Sequence, residues 1–291
     1  MALVPEGTQP PGSRLRVGII NIMPRAETYE ANLTRPLARA PLAVEPVWIR
    51  LGSHVYSSSN VRHIARRYVT FEQATRTSSL DGLILTGAPV EEIPFEDVHY
   101  WPELVAILRQ ARRTIPSTLG LCWGGLALAK QLGIDKQLFS KKLFGVYRNR
   151  SLDPAAGVLG DTDDLFWCAH SRHSGIRDDV LERAAAEGRV ELLGHAPETG
   201  YSIFRSSDRR YLMHLGHPEY DASRLAFEWE RDRALGRTDV EAPRNFDPQS
   251  PKAVWSSHCE TLFSRWLGSL RGAPRAGGLP EAQSEGDRQI M

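Results

Sequence analysis

The run Leu119-Gly120-Leu121-Cys122-Trp123-Gly124-Gly125 constrains this chain more than any other. Ile115 to Leu121 reads as a short buried strand, and Trp123 to Leu132 as a helix closed by Gly133. Strand therefore passes into helix at Cys122, with no room for a loop. Gly120, Gly124 and Gly125 keep side-chain bulk away from the corner, as a strained strand-to-helix elbow requires. Such a unit needs parallel strands beside it and helices over its faces.

The rest of the chain supplies them. Arg16 to Met23, Val44 to Leu51 and Asp81 to Thr86 are apolar runs of strand length, each bounded by turn residues. Between them, Glu27 to Ala40 has helical spacing. Trp101 to Arg113 is a helix with Leu104, Ile107, Leu108 and Ala111 on one face. Later come short strands at Val190 to Gly194, Tyr201 to Arg205 and Tyr211 to Gly216, with a turn-like Ser206-Ser207-Asp208 before the last. Ser223 to Leu235 is a helix with Ser223 or Asp221 as N-cap and Gly236 at its end, and Trp255 to Leu270 is a final helix. The fold class is α/β: a mostly parallel sheet covered by helices on both faces, gaining antiparallel strands in the second half. Residues 15–271 are expected to form a single domain. The Pro- and Gly-rich segments 1–14 and 272–291 have little to bury and are expected to be disordered.

Charge narrows the partners. Across 291 residues, 36 Lys and Arg balance 35 Asp and Glu, giving a net charge of +1, which is no footprint for nucleic acid or an anionic membrane. The basic clusters Arg62 to Arg67 and Arg109 to Arg113 read as solvated helix faces. Cys122, Cys168 and Cys259 are too few and too irregular for a disulfide framework or a structural zinc site, so no metal is expected. The first residues show neither a basic n-region nor an apolar core, and no stretch reaches the length of a membrane span. A cytoplasmic protein is the simplest expectation.

Cys122 is the candidate nucleophile. It stands at the carboxyl end of a predicted parallel strand and at a helix N-terminus, whose amides favour a thiolate. Cys168 and Cys259 lack that setting and read as structural. His217 and Glu219, in Gly216-His217-Pro218-Glu219-Tyr220, are two apart; in an extended segment they point to one side, so the carboxylate would orient the ring. A thiol, a base and an acid are the parts of covalent acyl transfer. In the turn Thr86-Gly87-Ala88-Pro89, the backbone N–H groups of Gly87 and Ala88, together with that of Trp123, would form an oxyanion hole.

These residues resemble the class I glutamine amidotransferase superfamily, and a longer series resembles one branch of it, the homoserine O-acyltransferases. The series comprises Asn21-Ile22-Met23-Pro24, Thr86 to Pro89, Phe95-Glu96-Asp97-Val98-His99-Tyr100-Trp101, Ser117 to Trp123 and Lys142 to Val146. It continues through Asp163-Asp164, His170-Ser171-Arg172, Gly216 to Asp221 and Trp255 to His258, from about Arg16 to Leu270.

The resemblance implies ping-pong transfer from an acyl-CoA to the hydroxyl of homoserine in methionine biosynthesis. Catalysis would fall to Cys122, His217 and Glu219, with no cofactor beyond the acyl-CoA substrate. Lys142, Ser171, Glu228 and Arg231 would contact substrates. Glu228 and Arg231, three apart on a helix, would face the same way and suit an amino acid's two charges. In the family, glutamate at the position of Glu91 goes with acetyl-CoA and glycine with succinyl-CoA. A carboxylate there would repel a succinyl group, so acetyl-CoA is the expected donor.

The chain departs from the family just after Pro24, where Arg25-Ala26-Glu27-Thr28 replaces a segment that usually carries two lysines. Serine as acceptor, a succinyl donor and a glutamine amidohydrolase remain the alternatives. Against the last, Leu126 stands where those amidohydrolases carry glutamine. A homodimer is one assembly the resemblance leaves open.

Overall fold

The computed structural model describes residues 14–271 except 77, 154–156 and 161–162. The segments expected to be disordered, apart from Arg14, lie outside the described residues. Nine strands form one sheet: β1 (Leu15–Ile20), β2 (Val44–Ile49), β3 (Gly82–Leu85), β4 (Thr118–Leu121), β5 (Gln137–Ser151), β6 (Leu165–Gly175), β7 (Val190–Ala196), β8 (Gly200–Ser206) and β9 (Tyr211–His214). The order across the sheet is β2-β1-β3-β4-β9-β8-β7-β5-β6. Every pair from β2 to β9 is parallel, and every pair from β9 to β6 is antiparallel.

Eight helices accompany it: α1 (Ala26–Arg39), α2 (Val61–Arg67), α3 (Phe71–Arg76), α4 (Trp101–Thr114), α5 (Trp123–Gln131), α6 (Asp178–Ala186), α7 (Ala222–Ala234) and α8 (Ser256–Arg271). The alternation of side chains along a strand divides the core in two. In β3, Leu83 and Leu85 pack with Leu104, Leu108 and Ala111 of α4 and Leu126 of α5. Ile84 turns the other way, toward Leu33 of α1 and Leu262 and Trp266 of α8. Both faces of the parallel half are thus covered, and its strands β1 to β4 are apolar but for Arg16, Glu45 and Thr118, which is why they are legible as near-continuous runs.

Asp221 is the N-cap of α7, its carboxylate accepting the Arg224 backbone N–H at 2.7 Å. Gly133 and Gly236 follow α5 and α7 at φ of 72° and 65°, the left-handed conformation that ends helices. Arg62, Arg66, Arg109 and Arg113 are exposed, as solvated faces should be. The described residues contain no helix long and apolar enough to cross a membrane.

The structure adds β5 and β6, which no apolar run announces, and the helices α2, α3 and α6. The two strands form the longest antiparallel pair of the sheet, yet bury Lys142, Asn149, His170, Ser171 and Arg172. Burial is paid for by pairing: Arg172 donates to the carbonyls of Ser174 at 2.9 Å and Thr199 at 2.7 Å. Gly145 has φ 135°, and a Cβ there would lie 2.3 Å from the Arg244 carbonyl oxygen, so the crossing chain admits only glycine.

Candidate active site

Cys122 occupies the elbow between β4 and α5 with φ 50°, a conformation disfavoured for a side chain with Cβ. The surroundings hold it there. Its N–H donates to the His214 carbonyl at 2.8 Å. A Cβ on Gly124 would stand 2.3 Å from the Leu85 carbonyl oxygen, and one on Gly120 would stand 2.6 Å from the Gly124 carbonyl oxygen. Helix α5 therefore starts pressed against β3 and β4, with Cys122 between them.

Gly87 borders both the predicted nucleophile and its predicted base. A Cβ at Gly87 would lie 3.4 Å from the Cys122 Cβ and 3.5 Å from the His217 Cε1. The turn is tied down by Thr86, whose Oγ1 accepts the Ile22 N–H at 2.9 Å, and by Asn21, whose Oδ1 accepts the Met23 N–H at 3.2 Å. Trp123 follows at the first turn of α5, where backbone N–H groups have no helical acceptor.

His217 and Glu219 do pair, with Nδ1 to Oε1 at 2.7 Å, but the expected extended segment is a turn. Pro218 and Glu219 form its corner, so the contact arises from a bend instead of from alternation along a strand. Tyr29 from α1 donates to the same Oε1 at 2.6 Å. The Tyr220 ring stacks on the His217 ring, centroids 3.9 Å apart and planes 19° apart. Nδ1 is occupied by the carboxylate, leaving Nε2 as the ring's proton-accepting atom.

Behind this loop lies a buried group of Cys168, His170, His214 and His258. The ligand atoms of Cys168, His214 and His258 lie within 4.8 Å of one another, an arrangement that superficially suits a metal. The hydrogen bonds assign the ring protons otherwise. The Gly216 N–H donates to His214 Nδ1 at 3.1 Å, so Nε2 carries the proton of the neutral ring and gives it to His258 Nε2 at 3.0 Å. Burial pushes all three imidazoles down, His258 to about 3, and so keeps them neutral. The group is a packed polar chain supporting the segment that carries His217. A second group, Glu92, His173 and Asp239, is already bridged by Arg237, which reaches Glu92 at 2.9 Å and Asp239 at 2.6 Å.

The Cys122 thiol donates to Glu91 Oε1 at 2.9 Å, while the other oxygen of Glu91 accepts the His173 backbone N–H at 2.6 Å. The expectation of a thiolate favoured by the helix terminus is therefore corrected for this state. Burial, and then the Glu91 charge, push the Cys122 thiol well above its ordinary range. Cys168 and Cys259 are buried free cysteines.

Cys122, Glu91 and His217 open on a cavity of about 380 Å³. Its lining includes Cys122, His217, Gly87, Ala88 and Glu91 together with Lys142, Ser171, Glu228 and Arg231. Glu219 and Trp123 stand behind it. Glu228 accepts from Ser171 Oγ and from the Tyr220 hydroxyl at 2.9 Å. Burial raises its pKa, but Lys142 and then Arg224 outweigh that and hold it at about 2. Lys142 is itself paired with Asp232 at 2.6 Å.

Glu228 and Arg231 both line the cavity, as their helical spacing predicts. Arg231 turns back onto Asp232, its Nε and a terminal nitrogen both meeting Oδ1, at 2.9 and 2.7 Å. Tyr29, His173, Tyr220, Arg224 and Asp232 were not singled out from the sequence. Only Arg224 and Asp232 had a signal there, by their helical spacing from Glu228.

An open α/β sheet with a cysteine elbow at the carboxyl end of a central strand defines a glutamine amidotransferase-like class. A glutamine amidotransferase from Thermotoga maritima is similar in fold, with TM-score 0.55 and 14% identity over 89% of this chain and 96% of that one. A putative GMP synthase subunit from Thermoplasma acidophilum gives TM-score 0.55 and 12% identity over 89% and 94%.

Sequence comparison goes further. The profile of the family described as "Homoserine O-succinyltransferase" matches residues 8–271. A homoserine O-acetyltransferase from Acetivibrio thermocellus is 36% identical over 87% of this chain and 83% of its own length. A homoserine O-succinyltransferase from Aeromonas hydrophila is 37% identical over 87% and 80%. The chain belongs to the homoserine O-acyltransferase family, and it is an enzyme of acyl transfer.

Proposed function

We propose that this protein is a homoserine O-acetyltransferase, working through an acyl-thioester on Cys122. The observation that carries the choice of donor is the Glu91 carboxylate, 2.9 Å from the Cys122 sulfur. An acyl group on that sulfur must lie beside Glu91. Both Glu91 oxygens act as acceptors, so the wall that meets the acyl chain is electronegative. An acetyl methyl is neutral toward it. A succinyl carboxylate would meet a like charge, at about 1–4 kcal/mol for two charges roughly 4 Å apart in a partly hydrated site. The names of the relatives divide between acetyl and succinyl at similar identity, so the donor rests on this contact.

In the first half-reaction His217 takes the thiol proton and the Cys122 sulfur attacks the thioester carbonyl. The oxyanion is stabilised by the backbone N–H groups of Gly87 or Ala88 and Trp123. The C–S bond to CoA breaks, and the departing thiolate takes the proton back from His217. In the second, His217 Nε2 removes the proton of the homoserine hydroxyl, whose oxygen attacks the acetyl-thioester. The bond to Cys122 breaks and the sulfur regains the proton. Glu219, with Tyr29 behind it, holds the ring and stabilises its charged form. Lys142, Ser171, Glu228 and Arg231 form the acceptor side.

Free thiol release from acetyl-CoA or succinyl-CoA, each with homoserine or serine, tests the reading. Turnover with acetyl-CoA and homoserine is expected. Turnover with succinyl-CoA alone overturns the donor, and a preference for serine overturns the acceptor. Ammonia release from glutamine without acyl transfer would return the protein to the amidohydrolases.

A further inference from the structure

His217 is gripped on one face by a residue three positions along the chain. Pro218 and Glu219 form the corner of a turn, and the Tyr220 N–H donates to the His217 carbonyl at 3.4 Å. A β-turn brings its first and last residues together, and proline is favoured at its second position. Here the two residues that meet both carry rings. Their centroids are 3.9 Å apart and their planes 19° apart, closer than the roughly 4.5–7 Å usual for aromatic pairs. Tyr220 is 1% exposed and fixed from several sides. Its carbonyl accepts the Trp255 Nε1–H at 2.9 Å, the Tyr29 ring meets it edge-on at 6.3 Å, and the Arg224 guanidinium carbon lies 5.6 Å from its centroid. Burial, and then the Glu228 charge, push its hydroxyl well above the ordinary range, so it stays protonated and donates to Glu228 Oε1 at 2.9 Å.

The carboxylate alone holds His217 loosely. Glu219 meets Nδ1 with Oε1, which it shares with the Tyr29 hydroxyl, while its Oε2 is buried with no hydrogen-bond partner among the described residues. One contact cannot fix both side-chain torsions of a histidine. We infer that Tyr220 is a positioning residue for His217: its ring fixes the plane of the base, and its electron-rich face stabilises the imidazolium that forms when the base takes a proton. The inference rests on the acyl-transfer reading above, in which His217 cycles between neutral and charged. An aromatic face attracts a cation more than a neutral ring, so the contact strengthens as the proton arrives. Stacking also leaves Nε2 open to the substrate, because a face contact engages no ring nitrogen. The hydroxyl bond to Glu228 keeps the tyrosine from swinging off the base, and so ties the plane of His217 to helix α7.

The test follows the first turnover of CoA release from acetyl-CoA with no acceptor present, a step that engages His217 and leaves the acceptor side idle. Tyr220→Leu is expected to slow it about 30-fold at saturation, the roughly 2 kcal/mol of a desolvated cation against an aromatic face. The half-saturating acetyl-CoA concentration is expected to stay within about threefold of wild type. Tyr220→Phe, which keeps the face, is expected to recover all but about threefold of the loss. In a His217→Ala background, Tyr220→Leu is expected to cost less than about threefold more, because a residue acting through the base has nothing left to act on. A Leu variant as fast as wild type, a Phe variant as slow as the Leu one, or the full loss repeated without His217 each overturns the inference. So does a loss that lies in half-saturation alone. Should Tyr220→Leu fail to fold, the wild type and Tyr220→Phe decide by proton NMR. The His217 Cε1–H resonance is expected upfield of that of a free histidine in both, and an unshifted resonance overturns the stack. A wild type that releases no CoA from acetyl-CoA or succinyl-CoA overturns the acyl-transfer reading beneath it instead.

Discussion

Glu91 Oε1 accepts the Cys122 thiol proton at 2.9 Å, across 31 positions of sequence. The same side chain is pinned by the His173 amide of β6, so the thiol proposed as nucleophile is held by Glu91 and not by His217, its proposed base. The Glu91 contact keeps the resting thiol protonated.

Removing that carboxylate frees the thiol. In Glu91→Gly, iodoacetamide alkylation of Cys122 should shift to lower pH, because the Glu91 charge is the largest cause after burial that raises its pKa. The same variant should accept succinyl-CoA at least about tenfold better than the wild type, the effect of removing roughly 1.4 kcal/mol of repulsion. An unchanged alkylation profile would mean that Glu91 does not govern the thiol.

Cys122→Ala should abolish transfer and acyl-enzyme formation together. Full activity in that variant would sink the covalent route, since Cys168 and Cys259 are buried away from the cavity lining.

Glu219→Gln keeps the shape of the His217 contact but not its charge. A fall in kcat of about 10³-fold or more is expected, as in other triads that lose the orienting carboxylate. Tyr29→Phe removes one hydrogen bond to the same oxygen and should cost only about 1 kcal/mol in steady-state rate.

Gly124→Ala tests the elbow. The added methyl would lie 2.3 Å from the Leu85 carbonyl oxygen, backbone against backbone with no side chain to yield. Urea unfolding should show a loss of about 1–3 kcal/mol with reduced activity. An equally stable, active variant would mean that the β3–α5 approach is not tight.

The buried histidines set the acid limit. His258 is depressed by burial to about 3 from an ordinary 6.5, so its stabilising contribution is present above 6.5 and is lost as pH falls toward 3. The unfolded chain binds the proton that the folded ring refuses. Each such ring costs about 1.4 kcal/mol per pH unit within its window. His258→Gln should flatten the pH dependence of urea midpoints between 6.5 and 3, and an unaltered slope would discount His258.

The sequence by itself determined the parallel half of the sheet, the Cys122 elbow and the His217–Glu219 pair. Each depends on neighbours a few residues apart: apolar runs long enough to be buried on both faces, glycines where a Cβ cannot fit, and a carboxylate two positions from a ring. Even the wrong local conformation of His217-Pro218-Glu219 left the pairing right, because the tether between them is so short. β5 and β6 were silent because their buried Lys142, Asn149 and Arg172 are satisfied by distant partners, which no local hydropathy pattern records. Tertiary structure alone decided that Glu91 touches the thiol. It decided also that Arg231 meets Asp232 while Arg224 stands against Glu228 and Tyr220. Helical spacing places both arginines near Glu228; only the surrounding carboxylates and rings settle what each of them meets.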